Sequence, residues 1–563
     1  MYLLSQKIKD NAINEICVGV SRQRIGFLKA LVIFFGLIVT MRLLEVAIPG
    51  GLYGLEFKEK STNIADKRGK IIDRDGNILA TTISTYSLFA DTTKIRDPKT
   101  STKKLIKILD DLDKEKTERL LSSGRKFVWI KRKISPNIAS KINLLGVPGL
   151  DFRIEPLRYY PLGSLTSHVV GHVNIDQLGQ SGIEGYFNSQ LSSGNDVTTS
   201  FDMRVQHVVR EELAKGANLY KAKKAVGIVL DINSGEVISM VSLPDFNPNK
   251  KIDPDAQSYV NNATLSSFEM GSTFKAFTIA AALDSKTANF GSIYNVSSPL
   301  RLGKKLIRDT YKYKNNLSLS EVFSRSSNIG SSLIALDLGF ESQKKYLKRF
   351  GLLDDPELEI YEISSPLAPK KWGELESVTI SYGYGIAVTP IQIITSVSAL
   401  VNGGVLNTPT VIKIDNRNDR SPVKEQRVIL QDTSEAMKIL FRLVVEEGTG
   451  SNAKVPGYQV GGKTGTANKL DPHTGKYDHN KRVSSFIAAF PIMNPLYSIL
   501  VLYDEPKPVD GDPKHATGGW TAAPIVANII GRISPILGVS THHSNTTGDL
   551  ASYARDGAKF VAY

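Results

Sequence analysis

The stretch FEMGSTFKAFTIAAALD, residues 268–284, places two polar side chains, Ser272 and Lys275, on a segment otherwise rich in apolar residues. Its apolar run predicts a buried helix that begins after Gly271. Residues three apart on a helix lie on one face, so the Lys275 amine can reach the Ser272 hydroxyl. In apolar surroundings the charged form of a lysine is disfavoured and its pKa falls. The segment therefore predicts a serine nucleophile that is activated by a lysine base.

The same spacing of serine and lysine occurs elsewhere in the chain, so the pair alone does not identify a site. The other instances are Ser101/Lys104, Ser123/Lys126, Ser342/Lys345, Ser421/Lys424 and Ser451/Lys454. Only the pair at Ser272 begins a long apolar helix after a glycine, and two further motifs follow it in order. Ser326-Ser327-Asn328 stands at the head of a second apolar helix, and Lys463-Thr464-Gly465-Thr466 is predicted to end a short strand.

These three motifs, in this order, resemble the active-site set of penicillin-recognising serine acyltransferases. Other blocks extend the resemblance over nearly the whole chain, to class B penicillin-binding proteins and among them most closely to division-specific septal transpeptidases of the FtsI type. Asn328 and the pattern Gly383-Tyr384-Gly385 fit the division type. The blocks are RGKIIDRDGNILA (68–80), RYYPLGSLTSHVVGHVN (158–174), GIEGYFN (182–188), SYGYGIAVTPIQI (381–393), GGKTGTA (461–467) and GGWTAAPIV (518–526).

The resemblance implies a catalytic mechanism. Ser272 would attack the carbonyl between the two terminal D-alanines of a peptidoglycan stem peptide, with Lys275 as the proton acceptor. Ser326 and Lys463 would relay that proton to the departing D-alanine. Asn328 would orient the lysine base and the substrate amide.

The resemblance also implies how the substrate is bound. Thr464 and Thr466, on either side of Gly465, would bind the terminal carboxylate through their hydroxyls. The backbone N–H groups of Ser272 and Thr466 would form the oxyanion hole. An amine from a neighbouring stem peptide would then resolve the acyl-enzyme, and β-lactams would acylate the same serine.

An uncharged apolar run lies near the N-terminus. Residues 30–41 are uncharged and lie between Lys29 and Arg42. Residues 25–48 therefore predict a single transmembrane anchor. Up to Lys29 there are five basic residues against two acidic ones, so residues 1–24 are expected in the cytoplasm and the rest in the periplasm. A cleaved signal peptide is the alternative, but no clear cleavage site follows the run.

The remaining sequence predicts two further domains and a tail. Residues 49–221 are rich in turns, with a hairpin around Asp75-Gly76, and resemble an elongated β-rich pedestal or dimerisation-like domain. Residues 222–537 open and close with apolar strands and carry helices between them, which predicts an α+β domain whose sheet pairs distant strands. The resemblance implies a penicillin-binding transpeptidase domain with a mostly antiparallel sheet between helices. Residues 538–563 form a polar tail.

Composition excludes several other classes of protein. The net charge is +14, but between residues 103 and 133 basic and acidic side chains alternate, so no nucleic-acid partner is expected. One cysteine, Cys17, permits no intramolecular disulfide. His168 and His172 lack an acidic third ligand nearby, so neither a metal nor another cofactor is expected.

Several alternatives share part of this pattern. A β-lactamase would need a base that activates water, and no Glu-x-x-Leu-Asn element of the class A kind is present. A D,D-carboxypeptidase would use the same catalytic residues, and a non-catalytic division scaffold or a β-lactam sensor remains open. The resemblance implies these partners: stem peptides ending in D-Ala-D-Ala, β-lactams, the cytoplasmic membrane at the division septum, a glycan polymerase of the SEDS family and other division proteins.

Overall fold

The computed structural model describes residues 27, 29–41, 68–253, 255–414, 424–471 and 473–541. The chain divides into two units, Met1–Ile64 and Ala65–Tyr563. In the first unit residues 29–41 are helical, with exposed apolar side chains. Over the described ranges, no helix is both long and apolar enough to cross a bilayer. The rest of the predicted anchor, the predicted cytoplasmic tail and residues 542–563 lie outside the described residues.

The part of the second unit before residue 200 is built on a five-stranded sheet with short helices around it. The strand order is β3-β2-β1-β5, and β4 pairs with β2. The hairpin predicted at Asp75-Gly76 is confirmed, because β1 and β2 pair antiparallel across it. The strands are β1 Ile71–Ile72, β2 Ile78–Ala90, β3 Val128–Ile134, β4 Leu150–Tyr159 and β5 Val197–Thr198, and the helices are α1 Pro98–Ile106, α2 Lys114–Leu121, α3 Pro136–Asn143, α4 Ser167–Val170, α5 Gly182–Tyr186 and α6 Asn188–Ser192.

A buried ion cluster ties the segments of this region together. The Glu184 carboxylate accepts a hydrogen bond from Arg68 Nε at 2.8 Å and one from Arg158 Nε at 2.5 Å. All three side chains are almost fully buried. Because the three residues come from distant parts of the second unit, the cluster fixes the end of β4 and α5 against the segment that carries Arg68.

From residue 203 onward the chain forms a mixed α/β domain around one antiparallel sheet. Its strand order is β14-β15-β16-β6-β7, so the predicted pairing of strands from the two ends of the domain is confirmed. The sheet strands are β6 Lys224–Asp231, β7 Val237–Leu243, β14 Gly461–Leu470, β15 Tyr477–Phe490 and β16 Tyr497–Asp504, and short strands are β8 Ile293–Tyr294, β9 Leu300–Leu302, β10 Lys305–Ile307, β11 Leu317–Ser318, β12 Val405–Asn407 and β13 Glu425–Arg427.

Helices cover both faces of this sheet. Side chains alternate along β16, so that Ile499 and Val501 pack in one core while Leu500 and Leu502 pack in the other. The first core includes α7 and α15, and the second includes the remaining helices. The helices are α7 Met203–Leu219, α8 Lys275–Asp284, α9 Leu319–Ser324, α10 Asn328–Leu338, α11 Phe340–Arg349, α12 Glu374–Ser381, α13 Pro390–Val401, α14 Gln431–Glu446 and α15 Ala522–Ile536.

One local prediction is wrong. The Lys-Thr-Gly motif does not end a short strand, because Lys463 is the third residue of the ten-residue strand β14. Pairing with β15 continues past the motif, where Asn468 lies opposite Arg482. The polar residues after the motif give no apolar alternation, so only the partner strand reveals that the strand continues.

Candidate active site

The predicted nucleophile, Ser272, lies in the turn just before helix α8. Residues Gly271–Phe274 form a 3₁₀ turn that leads directly into α8. Lys275 Nζ donates a hydrogen bond to Ser272 Oγ at 2.8 Å. Ser272 is partly exposed and reaches a cavity, whereas Lys275 is fully buried. The structure therefore brings the pair together in the expected way, with the hydroxyl accessible and the amine shielded from water.

The Lys275 amine is held by groups from two other motifs. Its Nζ lies 2.7 Å from Asn328 Oδ1 and 2.9 Å from the Ser326 carbonyl oxygen. Burial lowers the pKa of Lys275 to about 7, and the nearby Asp309 carboxylate opposes part of that shift. An amine with this pKa is partly neutral near neutral pH and can accept the Ser272 proton.

The second motif forms the turn between α9 and α10. Ser326 adopts a left-handed backbone conformation, with φ of 60°. Ser327 caps α10 by accepting a hydrogen bond from Gly330 N at 2.9 Å, and Asn328 is the first residue of that helix, as predicted. The turn directs both Ser326 Oγ and the Asn328 amide toward Lys275.

The third motif supplies a second buried amine. Lys463 Nζ donates to Ser326 Oγ at 3.0 Å, and Lys275 Nζ donates to the same oxygen at 3.1 Å. Burial lowers the pKa of Lys463 well below its usual value, and the charge of Lys275 lowers it further. The Ser326 hydroxyl thus connects the two lysines in one hydrogen-bonded chain.

Two threonines of β14 extend the site away from the lysines. Both line the cavity that Ser272 reaches. Thr464 Oγ1 lies 2.9 Å from Thr449 Oγ1, and Thr466 Oγ1 accepts a hydrogen bond from Gly518 N at 3.1 Å. Since Thr466 Oγ1 already accepts from a backbone group, its own proton is free to be donated to a ligand.

Two glycines allow β14 to approach the serine so closely. A Cβ atom on Gly465 would lie 2.3 Å from Ser485 Oγ and 2.7 Å from the Met270 carbonyl oxygen. A Cβ atom on Gly271 would lie 2.2 Å from the Thr466 carbonyl oxygen, and its φ of +51° also favours glycine. Gly465 therefore acts by close packing and does not line the cavity.

The cavity has a volume of about 470 Å³ and opens to solvent. The predicted residues that line it are Ser272, Ser326, Asn328, Thr464 and Thr466. Aromatic and basic side chains form much of the remaining wall, namely Tyr311, Tyr313, Tyr382, Tyr384, Trp520, Arg325, Arg482 and Lys514. A groove of this size and polarity can hold a short peptide with its reacting carbonyl beside Ser272.

Sequence reasoning missed two polar contributions to this site. Asp309 lines the cavity and binds the second motif from a loop that lies 18 to 20 residues earlier in the sequence. Glu269 accepts hydrogen bonds from Gly385 N at 2.6 Å and from Tyr477 Oη at 2.9 Å, and burial raises its pKa. The Gly383-Tyr384-Gly385 block was a signal for the contact between Glu269 and Gly385. No local pattern marks Asp309.

The two histidines considered as metal ligands have ordinary packing contacts. His168 Nε2 lies 2.8 Å from the Ser258 carbonyl oxygen, and His172 Nδ1 lies 2.8 Å from Ser181 Oγ. Burial lowers the pKa of His168 to about 4. Within the described ranges, no three histidine, cysteine or carboxylate side chains lie close enough together to hold a metal ion.

Two known families of protein domains match successive parts of the chain. The family described as penicillin binding protein transpeptidase domain matches residues 225–531, which include all three motifs. The chain belongs to this family. The family described as penicillin-binding protein dimerisation domain matches residues 63–220. This pair of domains, in this order, is the one expected of a class B penicillin-binding protein.

Named relatives cover most of the chain. A probable peptidoglycan D,D-transpeptidase FtsI of Caulobacter vibrioides is 35% identical, over 84% of this chain and 82% of the relative. The stage V sporulation protein D of Bacillus subtilis is 33% identical, over 84% and 79%. The peptidoglycan D,D-transpeptidase FtsI of Escherichia coli is 28% identical, over 89% and 88%. The resemblance to class B penicillin-binding proteins of the FtsI type is confirmed.

A solved structure has the same fold. Penicillin binding protein 3 of Mycobacterium tuberculosis, complexed with aztreonam, aligns with a TM-score of 0.67 at 24% identity, over 85% of this chain and 98% of that chain. This chain therefore has the two-domain fold of that penicillin-binding protein.

Proposed function

We propose that this penicillin-binding protein is a peptidoglycan D,D-transpeptidase that crosslinks stem peptides during septal wall synthesis. The observation that carries the proposal is the 2.8 Å contact between Ser272 Oγ and Lys275 Nζ, made by a buried amine whose pKa is about 7. FtsI relatives that are named as D,D-transpeptidases support the reaction and its place in division.

In the first half of the reaction, Ser272 becomes acylated. Ser272 Oγ bonds to the carbonyl carbon of the penultimate D-alanine while its proton passes to neutral Lys275. The N–H groups of Ser272 and Thr466 stabilise the oxyanion. The C–N bond to the terminal D-alanine then breaks, and its nitrogen receives a proton through Ser326 from the linked lysines. Free D-alanine leaves, and an ester on Ser272 remains.

In the second half, an amine of a neighbouring stem peptide attacks that ester. The amine gives up one proton to neutral Lys275 as the new amide bond forms, the ester bond breaks, and Lys275 passes that proton to Ser272 Oγ. Thr464 and Thr466 hold the donor's terminal carboxylate through their hydroxyls during the first half. Asn328 orients the donor amide and keeps Lys275 directed at the serine. A β-lactam follows the first half only, because its ring nitrogen stays attached to the acyl group.

The domain limits, membrane anchor, location and partners belong to the same proposal. Residues 49–221 form the pedestal, whose last helix, α7, packs on the catalytic sheet; residues 222–537 form the catalytic domain and 538–563 a tail. Residues 25–48 anchor the protein once in the inner membrane, with residues 1–24 in the cytoplasm and the catalytic domain in the periplasm at the septum. The uncharged run at 30–41 supports the anchor. Stem peptides, β-lactams, a SEDS-family glycan polymerase and division proteins are the partners.

The test separates crosslinking from hydrolysis. Uncrosslinked peptidoglycan strands bearing pentapeptide stems are incubated with the full chain and digested, and the products are separated by mass. Crosslinked dimers together with released D-alanine are expected. Released D-alanine with only tetrapeptide monomers would instead identify a D,D-carboxypeptidase, and no turnover with an intact fold would favour the scaffold or sensor.

A further inference from the structure

In the loop between β10 and β11, the Asp309 carboxylate contacts the second catalytic motif. Asp309 Oδ2 accepts a hydrogen bond from Ser327 Oγ at 2.7 Å, and Oδ1 accepts one from Ile329 N at 3.0 Å. Oδ1 also accepts a short hydrogen bond from Asn328 N. One side chain thus binds three consecutive residues of the turn that carries Ser326 and Asn328. These residues are 18 to 20 positions away in sequence.

The same loop also fixes which way the Asn328 amide faces. Asn328 Nδ2 donates to the Arg308 carbonyl oxygen at 3.1 Å, while Oδ1 accepts from Lys275 Nζ at 2.7 Å. A carbonyl oxygen can only accept a hydrogen bond, so the amide nitrogen must face Arg308. The amide oxygen is therefore presented to Lys275, and residues 308 and 309 together hold Asn328 by its side chain and by its backbone.

The turn needs such support because its first residue is strained. Ser326 has a φ of 60°, a conformation that residues with a Cβ rarely adopt and that persists only where the surroundings impose it. The hydrogen bonds of Asp309 begin at the next residue, Ser327, whose hydroxyl donates to Asp309 and accepts from Gly330 N. The negative charge also lies at the N-terminus of α10, where the helix dipole favours it.

We propose that Asp309 is a positioning residue for acylation: it holds the Ser326-Ser327-Asn328 turn so that Ser326 Oγ stays between Lys275 and Lys463 and the Asn328 amide stays on Lys275. The proposal rests on the proposed function of this site. The role of Asp309 is first of all geometric, because small displacements of a catalytic group are expected to slow a reaction strongly. Asp309 itself forms no bond with the substrate.

The carboxylate has a second effect, which is electrostatic. Of the groups packed around Lys275, the Asp309 carboxylate favours the ammonium form of Lys275, whereas the charge of Lys275 lowers the pKa of Lys463. Arg325 also lines the cavity, but it pairs with Glu321 at 2.8 Å. Removing the Asp309 charge therefore lowers the pKa of Lys275. A residue that served only as a helix cap would not change the pH dependence of acylation.

The experiment compares Asp309→Ala and Asp309→Asn with the wild-type full chain. Acylation by a fluorescent penicillin is followed by stopped flow, so that the binding constant and the acylation rate constant are separated, and the rate constant is measured across pH. Asp202→Ala is the matched control, because Asp202 caps α7 by accepting from Arg204 N at 2.9 Å without contacting the site. Thermal melting of each variant reports its fold.

For Asp309→Ala, we expect the acylation rate constant to fall roughly 10²-fold with little change in penicillin binding. For Asp309→Asn, which keeps one acceptor oxygen, we expect a smaller loss and a pH midpoint below that of the wild type. Asp202→Ala should melt at a lower temperature and acylate with the wild-type rate and pH profile.

The outcomes separate this proposal from the proposed function. If wild-type protein is acylated but both Asp309 variants acylate at its rate and with its pH profile, whatever their melting temperature, the positioning role is wrong. If wild-type protein is not acylated at all, the proposed function fails instead.

Discussion

Lys275 and Lys463 share one hydrogen-bond partner: their Nζ atoms lie 3.1 Å and 3.0 Å from Ser326 Oγ. Both amines are fully buried, and two ammonium groups in such a place would be strongly disfavoured. The site therefore disfavours a second ammonium, and Lys275, with a pKa of about 7, is partly neutral near neutral pH. The catalytic account depends on this feature, since only a neutral amine can accept the Ser272 proton.

The first prediction concerns pH. Because neutral Lys275 is the base, the acylation rate constant should rise with pH, with a midpoint near the Lys275 pKa of about 7. Stopped-flow acylation from about pH 5 to about pH 9 measures it. A rate that does not change over this range, or that rises only near pH 10, would show that another group accepts the proton.

The second prediction is that Lys275→Met slows acylation by roughly 10³-fold without unfolding the protein. The folded-state pKa of about 7 lies below the usual 10.5, so the unfolded chain binds more protons between these values and wild-type stability rises with pH there. At pH 7 the uncharged variant should therefore melt at or above the wild-type temperature. Lys345→Met, at another Ser-x-x-Lys pair, is the control and should acylate normally. A clear drop in melting temperature for Lys275→Met would contradict the burial argument.

Sequence could predict those parts of the site that have a local pattern. The spacing of three residues joins Ser272 and Lys275, although Ser272 lies in a 3₁₀ turn and the helix begins only at Lys275. Asn328 begins a helix with a recognisable cap, as predicted. Lys463 was assigned to a strand of the wrong length, because β14 is extended by pairing with β15 rather than by its own residues. Asp309 lies in a polar loop that precedes the turn it binds by 18 to 20 residues in sequence, and only folding brings the two into contact.

The third prediction tests the close approach of β14 to the serine. Gly465→Ala should destabilise the protein by roughly 1–3 kcal/mol, since the new methyl group meets atoms at 2.3 Å and 2.7 Å. It should also slow acylation by moving Thr466 away from Ser272. Gly531→Ala, in helix α15, is the control, because the nearest atom to its new methyl group would be Val455 Cγ1 at 3.8 Å. Chemical denaturation and penicillin labelling measure both effects, and equal behaviour of the two variants would refute the packing argument.

The fourth prediction concerns carboxylate binding. Thr466→Val keeps the side-chain shape but removes the hydroxyl that is free to donate. A hydrogen bond to a charged group is worth about 1.5–3 kcal/mol, so acylation by carboxylate-bearing penicillins should fall by roughly tenfold or more. Thr474→Val, in the exposed turn after β14, should have no effect. An unchanged rate for Thr466→Val would exclude its hydroxyl from substrate binding.

The fifth prediction concerns the buried ion cluster. Glu184→Ala leaves Arg68 and Arg158 buried without their carboxylate, which should cost about 3–5 kcal/mol of folding stability in the region before residue 200. Penicillin labelling of Ser272 in protein that remains folded should proceed at the wild-type rate, because the cluster lies outside the catalytic cavity. Hydrogen exchange resolves which region opens. Unchanged exchange in β4 and α5 would contradict the role given to the cluster.

The most direct test of the account is intact-mass measurement after exposure to a fluorescent penicillin, with wild-type protein beside Ser272→Ala. We expect one stable penicillin adduct on the wild type and none on Ser272→Ala, with the two proteins melting at similar temperatures. An adduct of the same mass on Ser272→Ala would show that another residue is the nucleophile and would contradict the assignment of Ser272.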